Sequence, residues 1–497
     1  MSPLTRRQLL ALGAAGAGAT AVGGAGLWWT TSNSREYTTG GDLTEPQVLS
    51  SSDGVLELDL ETASTRIQVG GREASVQTFN GSLPGPTLRV APGDTIRVTM
   101  TNRLEAPTNL HVHGLHVSPE GNGDNPFLSI GPGKSFDYEF ILPEDHPPGT
   151  YWYHPHRHGY VADQVAAGLY GAILVEDLEP VPAARERVMV VSDLSLDGSG
   201  NLAEVNQMQQ MMGREGEVVL VNGQVRPRLT AAPGERERWR IVNACPSRYL
   251  RLQLEGQRVQ LLSRDLGRLP VPEETTEVLL TPGNRVELLV ETTEGSAKLV
   301  TAPVSRGGMD AMMGGAMMGD NSAGGDEAIE LLTLEVSGDR AQTPNPVPAG
   351  PALRDLRQEP VAARHTLDFA MGMGGGSAMM DGAGSGENTM MAFTINGREF
   401  DAARTDTAVA VGTVQEWTLT NSSPMDHPVH LHVWPMQVIE DDGRDVPEPR
   451  WQDVVNVPAR RQVKVLIAFD DFPGRTVYHC HILDHEDQGM MGTVEAR

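Results

Sequence analysis

Lysine is almost missing from this 497-residue chain. Only Lys134, Lys298 and Lys464 occur, so 36 of the 39 basic residues are arginine, and the formal net charge is -26. A field of that sign repels phosphate backbones and anionic headgroups, which excludes nucleic acid as a partner and favours attraction of cations. Cysteine is as scarce: Cys245 and Cys480 are the whole supply, so no disulfide framework holds the fold. Cys245, in IVNACPSRYL, reads as a small buried hydrophobe. No histidine lies between His158 and His365, so the middle of the chain has no imidazole to offer as a ligand.

The chain opens with SPLTRRQLLALGAAGAGATAVGGAGLWW, where Arg6 and Arg7 precede a run from Leu9 to Trp29 of almost wholly apolar, Gly and Ala residues. This resembles a twin-arginine export signal. Segment 1–35 is expected to direct the protein to the periplasm, cell envelope or medium. It is either removed or kept as a membrane anchor, since no A-x-A cleavage site decides between them.

From about residue 54 the pattern is short alternating apolar and polar runs, such as TLRVAPGDTIRVTM and NRVELLVETT, broken by Gly, Pro, Asn and Asp. That spacing predicts an all-β protein of antiparallel sandwiches. The expected divisions are 45–180, 185–340, a Pro-rich linker at 341–357 containing TPNPVPAGP, and 358–497. PGTYWYHPH at 148–156 aligns without gaps to PGRTVYHCH at 473–481, so the outer domains read as a duplication in which Pro155 stands opposite Cys480. The middle domain, without histidine, is expected to act as a spacer.

Four H-x-H pairs occur: His111/His113, His154/His156, His430/His432 and His479/His481. On a strand, residues two apart share a face, so each pair can aim both rings at one place. Two pairs come from each outer domain, which predicts a metal cluster clasped between those domains. Cys480, between two such histidines, must face away from them, towards a different metal. His427 has the opposite parity to His430, and His485 and Met490 follow Cys480 closely. One Cys, two His and a distant Met make a blue-copper donor set, and the thioether argues against zinc.

With these motifs, HVHG, HPH, HPVHLH and HCHILDHEDQGM, the chain resembles the three-domain multicopper oxidases over essentially its whole mature length; NGSLPGPTLRVAPGD at 80–94 is similar to their first-domain signature. The resemblance implies three cupredoxin-like Greek-key β-sandwiches, a monomer, four copper ions, and reduction of O2 to two waters by four one-electron oxidations of a reductant. It implies type 1 copper on His427, Cys480, His485 and Met490, and type 2 on His111 and His430. The type 3 pair would take His113, His154, His156, His432, His479 and His481. Glu486 matches a proton-donating acid of bacterial members, and Asp124 is a candidate acid near the type 2 ion. Asp453 is a candidate to orient a type 1 ligand. His116, His146, His158 and His365 match no ligand position.

Of 21 methionines, 14 fall in QMQQMM (208–212), GGMDAMMGGAMMG (309–318) and the segment 371–391. Thioethers favour Cu(I), and the arrangement resembles the Met-rich cuprous oxidases of bacterial copper tolerance. Substrate copper is expected at Met371, Met373, Met379, Met380, Met390 and Met391, with Met425 matching a further ligand position. Ser423 stands where those members carry an acid, and Asp426 is the nearest substitute. The rival reductant is a phenol or aromatic amine, as in a laccase. A non-enzymatic copper carrier would not need the full histidine set, and a structural relative would be expected to have lost ligands.

Overall fold

Alternation builds most of the molecule. Strand Val55–Val69, VLELDLETASTRIQV, buries Leu56, Leu58 and Leu60 while the residues between them face solvent, which is the period-two pattern of a half-buried strand. The computed structural model describes residues 37–308, 327–373 and 391–497. The segment 1–35 and Met379, Met380 and Met390 lie outside these residues.

Six sheets pair into three sandwiches, each with its own apolar core. Each large buried side chain in such a core contributes about 1.5–3 kcal/mol relative to exposure. In the first sandwich one sheet runs Thr87–Val90, Gly171–Val175, Gly149–His154, His111–His113; in the third, one runs Thr407–Val409, Met491–Ala496, Gly474–Cys480, His427–Leu431. These four strands correspond in order, a parallel pair first and then two antiparallel ones, while the fifth strand lies at opposite ends: Val48–Ser50 beside Thr87–Val90, Val454–Val457 beside His427–Leu431. The repeat seen in the sequence is thus a repeat of topology. Among the described residues no helix is long and apolar enough to cross a membrane.

Strand Gly149–His154 is buried on both faces. Tyr151 and Tyr153 point into the first core. Trp152 packs instead in a second apolar cluster with Val188, Val190 and Val242 of the middle sandwich and Leu483 of the third. Three short helices close this seam: α1 (Val161–Ala167), α2 (Gln207–Met212) and α3 (Leu483–Asp487). The backbone N–H groups of Gly159 and Ala162, at the start of α1, donate to Asp487 of α3.

A buried charge network joins the first two sandwiches. Glu287 accepts from Thr150 Oγ1 at 2.7 Å, from Arg240 Nη1 at 2.5 Å and from Arg238. Burial alone would raise its pKa, but the two guanidiniums prevail and hold it at about 2 against an ordinary value of 4.5. Its contribution to stability is therefore complete above about pH 4.5 and disappears as pH falls towards 2. In thermal melts Glu287→Gln is expected to be destabilised by about 3 kcal/mol near neutral pH, because Arg238 and Arg240 lose the buried carboxylate they share and keep only Asp177 and Glu186, and to flatten the acid dependence within that window. A variant whose acid slope matches the wild type would contradict this.

Candidate metal centres

Strand Gly474–Cys480 lies beside His427–Leu431, with Cys480 opposite Val429 and His479 opposite His430. Tyr478 and Cys480 point into the third core, so His479 leaves on the other face. Two separate donor groups result.

On the core side, Cys480 Sγ lies 3.3 Å from His427 Nδ1 and 3.8 Å from His485 Nδ1. His485 is brought there by α3. The far nitrogens are tied: His427 Nε2 meets Ser423 Oγ at 2.7 Å, and His485 Nε2 donates to the carbonyl of Met211 at 3.0 Å. Holding the proton on Nε2 leaves both Nδ1 lone pairs facing the sulfur. Met490 is fully buried in the same core, and its backbone bonds to Cys480 and His485. Burial pushes the Cys480 thiol up and His427 down to about 3, with Arg306 adding to the latter. The imidazoles are neutral donors, and a bound cation would stabilise the thiolate.

On the seam side, His111, His113, His154, His156, His430, His432, His479 and His481 are all at most 1% exposed. His113 stacks on His430, and His111 on His432, each at 3.8 Å, pairing one ring from each outer sandwich. The Nε2 atoms of His156, His432 and His479 lie 3.0, 3.1 and 3.3 Å apart. A point equidistant from them is about 1.8 Å from each, close to the ~2.0 Å of an imidazole–metal bond. Outward nitrogens are satisfied by Asp124 (His111), Pro155 O (His154), Asp453 O (His430) and Cys480 O (His479). The inward Nε2 atoms of His111, His154 and His430 and both nitrogens of His481 have no partner. Buried polar atoms without partners are costly, and so many converging in one place fit a metal cluster. Burial pushes the imidazole pKa values down, His154 to about 3, and those of His111, His113, His156, His430, His432 and His481 well below the ordinary value.

Both acids of interest lie here. Glu486, fully buried on α3, is 3.3 Å from His156 Nε2 and 3.1 Å from His479 Nδ1. Asp124 bonds His111 Nδ1 at 2.8 Å and lies 3.4 Å from His432 Nδ1. Asp453 differs from the sequence expectation: it adjoins His113 and His430 of the cluster, carried there by the bend between strands Arg444–Gln452 and Val454–Val457. His116, His146, His158 and His365 join neither donor group. His116 instead bridges outer sandwiches, through Val433 O and Asp471.

The middle sandwich does more than space the others. Gly283, at φ +86°, lies so close to His481 that a Cβ there would sit 2.9 Å from Nε2. Arg285 reaches Asp453, and α2 supplies the carbonyl on His485. Met211 packs against the third core, as do Met371 and Met391. Met373 lies opposite Met391 on the antiparallel neighbouring strand. Phe393 stacks on His485 at 4.5 Å. Met425 is buried, bridging by its backbone to Gly307, while the Asp426 carboxylate is taken up by Asn456 and Ala459 N–H. QMQQMM was visible as a methionine tract, but nothing local in it marked a contact with His485.

Family profiles described as multicopper oxidase match residues 61–180, 193–301 and 378–497. The chain is 30% identical to multicopper oxidase MmcO of Mycobacterium tuberculosis, over 86% of this chain and 84% of that protein. It is 27% identical to the cell division protein FtsP of Proteus mirabilis, covering 86% of each. Among solved structures, a Campylobacter jejuni multicopper oxidase described as a metallo-oxidase superposes with a TM-score of 0.80 at 30% identity, covering 93% of this chain and 96% of that one. Matches that run through all three sandwiches and both donor groups leave one conclusion: the chain belongs to the multicopper oxidases, copper-dependent oxidoreductases that use O2 as electron acceptor.

Proposed function

We propose that the protein is a cuprous oxidase. In the overall reaction four Cu(I) ions give up one electron each, and O2 with four protons becomes two waters. Four resident coppers are assigned to the donors described: type 1 to His427, Cys480, His485 and Met490, type 2 to His111 and His430, and the type 3 pair to the other six histidines. When bound, these ions supply one-electron storage and the centre at which O2 is reduced.

The chain's own residues connect the two sides. From Cys480 Sγ the covalent path runs through Cβ and Cα to His479 in one direction and His481 in the other. His479 Nδ1 also donates to the Cys480 carbonyl at 3.0 Å, a shorter branch. Glu486 touches two cluster rings and is suited to hold a proton for the nascent water, and Asp124 to hold one beside His111. The seam excludes bulk solvent from both acids.

The observation that carries the cuprous reading is the gathering of methionine-bearing segments beside His485 and the third core. The Met211 carbonyl covers the Nε2 of His485, and Met212 lies against Gly308, the second residue of GGMDAMMGGAMMG. Met371 and Met391 flank Phe393, which stacks on the same ring. Thioethers at the electron-entry edge suit a soft univalent copper better than a phenol. An acidic chain adds a field that draws cations.

Export by the twin-arginine route, with a role in copper tolerance at the cell envelope, belongs to the same proposal and is supported by Arg6, Arg7 and the apolar run that follows. Changing Arg6→Lys and Arg7→Lys together is expected to leave the protein in the cytoplasmic fraction; unchanged export would remove this part.

For the substrate, Met211→Leu with Met212→Leu removes two sulfurs at nearly constant volume. On copper-loaded protein, oxygen uptake with Cu(I) is expected to lose on the order of tenfold in kcat/KM, about 1.4 kcal/mol, while uptake with a phenolic donor is kept or raised. Equal losses for both donors would favour the laccase reading. No uptake with either donor on wild-type protein would favour a scaffold role of the kind FtsP is named for.

A further inference from the structure

We infer that Arg285 of the middle sandwich is a positioning residue for the histidine cluster: gripping Asp453, it determines which ring nitrogens of His113 and His430 face inward. This role presupposes that the cluster holds copper, as proposed for the function.

Arg285 opens strand Arg285–Glu291, and its side chain is 1% exposed. Nη1 and Nη2 donate to the two carboxylate oxygens of Asp453, in the third sandwich, at 2.5 and 2.6 Å. Nε donates to the carbonyl of Thr150, in the first, at 3.0 Å. The residue's own N–H is held by Asp265 at 2.8 Å. One guanidinium therefore meets all three sandwiches next to the cluster. A lysine could not grip both oxygens in this planar fashion.

Asp453 acts on two rings with its remaining acceptors. His113 Nε2 lies 3.3 Å from Oδ1, and His430 Nδ1 donates to the backbone carbonyl at 2.8 Å. A neutral imidazole has one N–H. With its proton on Nε2, His113 turns the lone pair of Nδ1 inward; with its proton on Nδ1, His430 turns Nε2 inward. Those two inward atoms are the ones found buried without partners. The opposite nitrogens are thus selected on two adjacent stacked rings from different sandwiches.

The pair has little room to shift. Gly114, directly after His113, has φ +86°, and a Cβ there would collide with Asp453 Oδ2 and Arg285 Nη2. Without the guanidinium, nothing would hold both carboxylate oxygens of Asp453 in place, and its carboxylate would turn away from His113 Nε2.

The test compares copper-loaded full-length wild type with Arg285→Met during titration with a copper chelator. Copper retained per chain is measured by elemental analysis, and the blue thiolate–copper absorption reports Cys480 separately. Arg285→Met is expected to release the cluster copper at about 10- to 100-fold lower chelator concentration, the usual effect of losing a partner that orients a ligand, with the blue absorption unchanged. Arg285→Lys should fall between the two. Wild-type retention in folded Arg285→Met, or parallel loss of blue absorption and cluster copper as from a purely structural defect, would overturn the inference. If the single variant does not fold, Arg285→Met with Asp453→Leu removes both charges together, with the same expected and overturning results. Wild-type protein that itself retains copper at Cys480 alone would overturn the cluster assignment, and the inference with it.

Discussion

Neighbouring side chains of a β-strand leave on opposite faces, and the strand Gly474–Cys480, central in its sheet, turns that rule into a boundary between two kinds of chemistry. Cys480 enters the core of the third sandwich, where a sulfur, two imidazoles and apolar walls suit a one-electron centre. His479 enters the seam, where rings from the first sandwich wait. The two donor groups are separated by one residue of backbone yet occupy different surroundings. Everything else in the molecule positions partners for those two faces.

Closing the seam means burying eight imidazoles and the carboxylates of Asp124, Asp453 and Glu486, so it requires more than apolar contact. The cluster of Trp152, Val188, Val242 and Leu483 supplies the hydrophobic part. Charged clasps supply register: Arg285 with Asp453, Arg214 with both Asp484 and Asp163, and His116 with Asp471. Of these, the largely buried pairs Arg285–Asp453 and Arg214–Asp484 add little net stability but are costly to break singly. Together the clasps hold three sandwiches in one arrangement, and the donor nitrogens depend on that arrangement.

Much of this was legible in the sequence because it follows from a period. Parity alone separated Cys480 from His479 and put His427 with the cysteine, and the 148–156 and 473–481 repeat matched two strands in equivalent sheet positions. Parity did not explain His156, His432 and His481, which lie just past the ends of their strands. Backbone bonds to Asn109, Val477 and Pro428 turn them inward. Arg285 and Asp453, 168 residues apart, left no local pattern at all. The same holds for Met211 over His485, a contact between short helices of different sandwiches. Residues that carry metal donors announce themselves by type and spacing; residues that aim those donors are ordinary until the chain is folded.

Diffraction at the copper absorption edge from crystals of the copper-loaded protein tests the two-faced strand most directly. The account predicts one anomalous peak among His427, Cys480 and His485, and a separate group of peaks among the eight histidines across the strand. A peak shared by Cys480 Sγ with His479 or His481, or no density among those histidines, would contradict it.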